Sequence, residues 1–134
     1  MAQRGQGRLT DVIVWLAIAT GVVLSLIGAR FLLQPEHAAT FFGIDRHNPG
    51  FAPHAAIALR DLWLGLLMIA FAVLRDWRAV ALWFSLATLV CFGDAVIAAA
   101  SSGRWISVAF HGGSGLFCGA VAAYAWRLAR PSAQ

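Results

Sequence analysis

The sequence contains no lysine, and charged residues make up only 12% of its 134 positions. Ordinary soluble domains carry about 25% charged and 45–50% apolar residues. Here apolar residues reach 60%, with a mean hydropathy of +0.75. Scarce charge and apolar residues gathered into long runs exclude a conventional soluble fold. Cysteine is also scarce. Cys91 and Cys118 sit in separate apolar runs with no CxxC spacing, which argues against a disulfide framework and a zinc site. Both are read as small buried hydrophobes, with redox chemistry a lesser alternative. A serine nucleophile elbow, a phosphate loop and a dinucleotide fingerprint are all missing.

The apolar residues fall into four runs, 12–33, 53–74, 79–100 and 105–126. A run of about 22 residues rising 1.5 Å each spans roughly 30 Å of hydrocarbon. None alternates like a strand, and a backbone in lipid must satisfy its own hydrogen bonds, so each run predicts a transmembrane helix. The first is read as a retained span rather than a signal peptide, because it is long and carries Arg30 near its end. Thr10 or Asp11 is its expected N-cap. The expected fold is therefore all-α: a four-transmembrane-helix bundle forming one integral membrane domain over residues 1–134.

Two connections are short, "RDWR" at 75–78 and "SSGR" at 101–104. The long one, "PEHAATFFGI", offers Pro35 for a first helical turn and Gly43 for a C-terminal cap, predicting a short interfacial helix over about 35–43. Phe41 and Phe42 are expected to dip from it into lipid. The "RHNPG" that follows reads as a turn.

The net charge of +4 comes from ten arginines, most of them at the ends of apolar runs. That distribution fits membrane flanks and argues against nucleic acid, which calls for a basic face with stacking aromatics. Arg4, Arg8, Arg75, Arg78, Arg127 and Arg130 fall on one side of the expected membrane and Arg46 and Arg104 on the other. This asymmetry predicts a multi-pass protein of the cytoplasmic (inner) membrane with both termini inside.

A second group of charges lies within the runs. Asp61 follows His54 by seven residues, Asp94 precedes Ser101 by seven, and His111 follows Arg104 by seven. With Arg60 beside Asp61, these groups fall roughly 9–11 Å below the outer surface, and Arg30 is somewhat shallower. A lone Arg or Asp at mid-membrane costs about 2.5–3.5 kcal/mol, so such groups are expected to face inward and neutralise one another. Adjacent helical residues point about 100° apart, so Arg60 and Asp61 are expected to pair with groups on neighbouring helices rather than with each other.

The candidate site follows from this layer. Asp94, His111 and Asp61 are the candidate proton-transfer residues. Arg60 and Arg30, with Trp63, Ser107 and Ser114, are candidate ligand contacts. Trp63 either stacks on Arg60 or fills core space, the latter being the blander reading, and the serines flank His111 at helical spacing. Gly115 and Gly119 form a small-xxx-small pair suited to close helix approach. His37, His47 and His54 match no metal-ligand pattern, and no metal or cofactor is expected. Two functions compete: recognition, with or without acid/base conversion, of a small amphipathic molecule (lipid-, terpenoid- or quinone-like), and a non-catalytic role in which the charges only fix packing. Whether a reaction is catalysed stays open. Conduction is disfavoured, since no ionisable residues continue the layer across the membrane. The expected partners are membrane lipid and that ligand, with a second copy of the chain an open alternative.

The segments "GARFLLQPEHAATFFGI", "LRDLWLGLL", "GDAVIA" and "FHGGSG" together resemble domain-of-unknown-function family 4267, small membrane proteins of bacteria and fungi. By that resemblance Arg30, Pro35, Gly43, Arg60, Asp61, Gly65, Gly93, Asp94, His111 and Gly112 occupy the family's motif positions. It extends over roughly residues 12–127 and implies no settled activity. The chain is more loosely similar to DoxX-like four-helix membrane proteins, a likeness at the level of fold alone.

Overall fold

The computed structural model describes residues 2–44 and 51–130, with side chains from residue 10 onward and, after the second gap, from residue 52. The expected turn at "RHNPG", with Asp45, Arg46 and His47, lies outside the described residues, as do the side chains of Arg4 and Arg8. Five helices follow in order: α1 Ala2–Leu33, α2 Pro35–Phe42, α3 Phe51–Val73, α4 Trp77–Ser101 and α5 Trp105–Ala129. Four of them contain spans long and apolar enough to cross a membrane: Thr10–Leu33, Ala52–Val73, Trp77–Ser101 and Trp105–Ala129. Large apolar side chains cover the outside, among them Trp15, Leu33, Leu74 and Leu116. An apolar surface of that extent belongs in lipid. This is a multi-pass membrane protein.

The short elements follow local chemistry. Pro35 stands in the first turn of α2, where its missing N–H costs nothing. Gly43 ends α2 in the left-handed region, φ 100°, with its N–H donating to the Ala39 carbonyl. A Cβ there would come within 2.9 Å of the Cβ atoms of Ala98 and Ser107, so glycine is required by space as well as by conformation. Asp76 caps α4 by accepting from the Ala79 N–H at 3.1 Å. Two expectations change here. Neither Thr10 nor Asp11 caps α1, because the helix begins at Ala2 and runs through both. Phe42 does not dip into lipid. It is buried against Phe31 and His111, while Phe41 is exposed.

The bundle consists of two tightly packed pairs. α1 lies along α3 and α4 along α5, and the pairs touch one another much less. Glycine sets the first contact. A Cβ on Gly21 would lie 2.6 Å from the Gly65 carbonyl oxygen, and one on Gly28 would lie 2.7 Å from that of Ala58. Backbones that close admit no side chain, which is how membrane helices gain van der Waals contact where lipid is as apolar as leucine. In the second pair Gly115 packs on the Phe92 ring and Gly119 on Thr88, whereas Cβ atoms on Gly93, Gly112 and Gly113 would meet nothing.

Where α3 turns into α4 the pairs share a core of Ile13, Ala17, Met68, Ala72, Val80, Phe84, Val121 and Ala125. Trp83 of α4 braces it by donating to the Leu64 carbonyl of α3 at 3.2 Å. The hydroxyls of Thr20, Ser25 and Thr88 bond back to their own helices, at Leu16, Gly21 and Phe84, and so keep these donors from lipid. At the opposite end a second cluster forms around Phe31, Ala38, Phe42 and Ala58. The pairs part between these two cores.

Replacing Gly21 or Gly28 by leucine is expected to destabilise the protein by at least 1–3 kcal/mol, because a backbone carbonyl cannot yield as a side chain can. Gly113→Ala is expected to leave it unchanged or more stable by up to about 1 kcal/mol. Thermal unfolding in detergent compares them, and equal losses would show that the glycines do not set the α1–α3 spacing.

Candidate functional site

A cavity of about 510 Å³ occupies the space between the pairs and takes its walls from all five helices. Most of the wall is apolar: Leu24 and Ile27 from α1, Leu64 from α3, Leu86 and Val90 from α4, and Phe110 and Phe117 from α5. Val23, Leu86, Val90, Phe110 and Phe117 line the cavity and are also exposed, so it opens sideways toward the surroundings of the bundle. Polar groups also line it: Arg30, Arg60, Asp61, Asp94, His111 and Ser114.

Arg60 joins the two carboxylates. Its Nε donates to Asp61 Oδ1 at 2.9 Å, and its Nη2 lies 3.9 Å from Asp94 Oδ2. The expectation that Arg60 and Asp61 would not pair is therefore corrected. Their Cβ atoms do diverge along α3, but the flexible arginine stem carries the guanidinium back around the helix, and lipid offers it nothing better. The contact with Asp94 crosses from α3 to α4, as expected, but at a distance too long for a hydrogen bond. Asp61 and Asp94 are buried, while the Arg60 side chain is 37% exposed.

His111 is buried, and its Nε2 lies 3.0 Å from the Phe42 carbonyl oxygen. A carbonyl only accepts, so Nε2 donates in this bond and Nδ1 is the ring nitrogen left without that partner. The bond belongs to a larger clasp. Arg104 Nη1 donates to the Thr40 carbonyl at 3.0 Å, and Ser107 Oγ to that of Phe41 at 3.0 Å. Three successive carbonyls at the end of α2, which lack partners within their helix, are thus bound by the N-cap residue of α5 and by two residues on that helix. Ala38, Phe41 and Phe42 of this clasped helix line the cavity.

The remaining candidates divide. Arg30, in the last turn of α1, lines the cavity from an exposed position, and Ser114 lines it as well. Ser107 serves the α2 clasp rather than His111. Trp63 is 56% exposed and is not part of the cavity wall, so it neither fills the core nor lines the cavity with Arg60. His54 is buried beside the Phe31 ring with centroids 6.2 Å apart, and His37 is exposed. Among the described residues no cluster of His, Cys, Asp and Glu is arranged to hold a metal.

Sequence reasoning passed over Cys91, Cys118, Trp83 and Thr20 as cavity residues. Spacing offered a signal for two of them. Cys91 lies one turn before Asp94, and Cys118 lies two turns after His111 on the same helical face. No comparable signal marked the α2 carbonyls, since backbone acceptors do not appear in a pattern of side chains.

Ser107→Ala and His111→Ala should each release α2 at a cost of about 1 kcal/mol for the lost bond. Amide hydrogen exchange in α2 is expected to accelerate while α1 and α3 keep their protection. Uniform acceleration through the bundle would refute the clasp.

No curated protein and no solved structure matches the chain. The family described as "Domain of unknown function (DUF4267)" matches residues 21–125, a stretch that contains the close α1–α3 contact, α2, Arg60, Asp61, Asp94 and His111. The chain belongs to this family.

Proposed function

We propose that the protein binds a small amphipathic molecule (lipid-, terpenoid- or quinone-like) that enters sideways from the membrane into the space between the helix pairs. The observation that carries this reading is the cavity itself. It is lined with aliphatic and aromatic groups, open toward lipid, and its few charged and polar groups would orient a head group. Small-molecule sites of roughly 300–1,000 Å³ have this composition. In this reading Arg60, Asp61, Asp94 and His111 meet the polar end of the ligand, with Arg30 and Ser114 at the same cavity. Any proton transfer falls to Asp94 and to Nδ1 of His111, the uncommitted acid/base groups there.

A purely packing role accounts for less. The ion pair of Arg60 with Asp61, at 2.9 Å, lies within one helix, and the approach of Arg60 to Asp94 on the other pair is 3.9 Å. Helix spacing rests instead on the glycine contacts and on the shared core.

We further place both termini in the cytoplasm, with the protein in the inner membrane. Arg75, Arg78, Arg127 and Arg130 belong to the end of the bundle where the Asp11–Arg75 pair, at 2.9 Å, joins α1 to the α3–α4 turn. A fluorescent protein fused after Gln134 should then fluoresce, and alkaline phosphatase fused there should stay inactive. The reverse result would invert the topology.

Lipid-soluble metabolites of cells with and without the protein should differ in at least one compound, and Ala19→Phe, which adds a ring where the exposed Ala19 of α1 lines the cavity, should abolish the difference. Identical profiles for wild type, Ala19→Phe and deletion would overturn the binding reading.

A further inference from the structure

The carboxylate of Asp94 lies in the cavity wall without a hydrogen bond among the described residues. The residue is 9% exposed and lines the cavity, yet among the described residues its one polar contact is the 3.9 Å approach of Arg60 Nη2. A carboxylate has about four lone-pair sites, and a buried one without hydrogen bonds is costly. Asp61 already holds the Nε proton of Arg60 at 2.9 Å. His111 directs its Nε2 to the Phe42 carbonyl rather than to Asp94. Arg30 and Ser114 line the same cavity, but among the described residues no donor in its wall hydrogen-bonds Asp94.

Charge points the same way. Asp61 and Asp94 share one guanidinium, so the group carries a formal charge of −1. Arg30 faces the same cavity from α1, but it is exposed and, among the described residues, makes no ion pair with either aspartate. Six aromatic rings also line the cavity, those of Phe31, Phe41, Phe42, Trp83, Phe110 and Phe117. Ring faces attract cations within about 6 Å, and more strongly where water is excluded.

We infer that the head group seated beside Asp94 is a protonated amine on an apolar body: a lipophilic amine rather than an acid or a carbonyl compound. An ammonium supplies both the missing donor and the missing positive charge, whereas an alcohol supplies only the donor and a carboxylate neither. This inference rests on the reading of the cavity as a ligand site and adds the chemistry of the head group.

The test uses the full chain in phosphatidylcholine nanodiscs, with binding counted by native mass spectrometry. The probes are dodecylamine, dodecan-1-ol, dodecanoate and dodecyltrimethylammonium, which share one apolar tail. Dodecylamine is expected to bind at least tenfold more tightly than dodecanoate and severalfold more tightly than the alcohol. Asp94→Asn should remove its advantage over the alcohol, while Ala19→Phe should weaken every probe that binds. Should Asp94→Asn fail to fold, the trimethylated probe decides in the wild type. It keeps the charge but has no N–H, and is expected to bind more weakly than dodecylamine. Preference for dodecanoate, parity of amine and alcohol, parity of the two cationic probes, or an amine advantage that survives Asp94→Asn would each overturn the head-group inference and leave the cavity reading standing. Binding of no probe, or equal binding to wild type and Ala19→Phe, would overturn both.

Discussion

The backbones of α1 and α3 approach so closely at Gly21, Gly28 and Gly65 that a single methyl group would not fit between them. Much of the remaining architecture depends on that contact. It turns two helices into one unit and holds Arg60 and Asp61 at a fixed height on it. α4 and α5 form a second unit around Phe92 and Thr88 and carry Asp94 and His111. Because each pair is satisfied within itself, the pairs need not close on each other along their full length. The cavity is the space this leaves.

A membrane makes such an arrangement tenable. In water, an open apolar cleft between two helix pairs would collapse or aggregate, since burial would gain about 25 cal/mol per Å². Lipid removes that driving force, and helix association then depends on shape, on hydrogen bonds and on small residues. The same absence of water makes the shared guanidinium of Arg60 and the clasp at the end of α2 consequential. Carbonyls of Thr40, Phe41 and Phe42 that solvent would satisfy in a soluble protein are held by Arg104, Ser107 and His111. α2 is thereby fastened to the second pair while its chain connection runs to the first. It spans the gap above the polar groups and joins the two units.

The spans themselves were legible from composition and length, because hydrocarbon thickness sets a minimum run of apolar residues. Pro35 and Gly43 marked the bounds of α2 because each has a backbone property that no other residue shares. Intramembrane charge singled out Arg60, Asp61, Asp94 and His111, and the structure lines one cavity with all four. Less legible was what each group would touch. Arg60 turned to its own neighbour, Phe42 turned inward, Trp63 faced outward and Ser107 bonded a carbonyl.

The amino-acid sequence determined the number of helices, the short helix between the first two spans, and which of them bear charge, since these follow from local composition and from the cost of exposing polar groups to lipid. Tertiary structure alone decided that the four long helices assemble as two pairs and that a cavity separates them. Pairing is set by surface shape at Gly21, Gly28 and Gly65, and each side of that contact becomes meaningful only when the other helix lies against it.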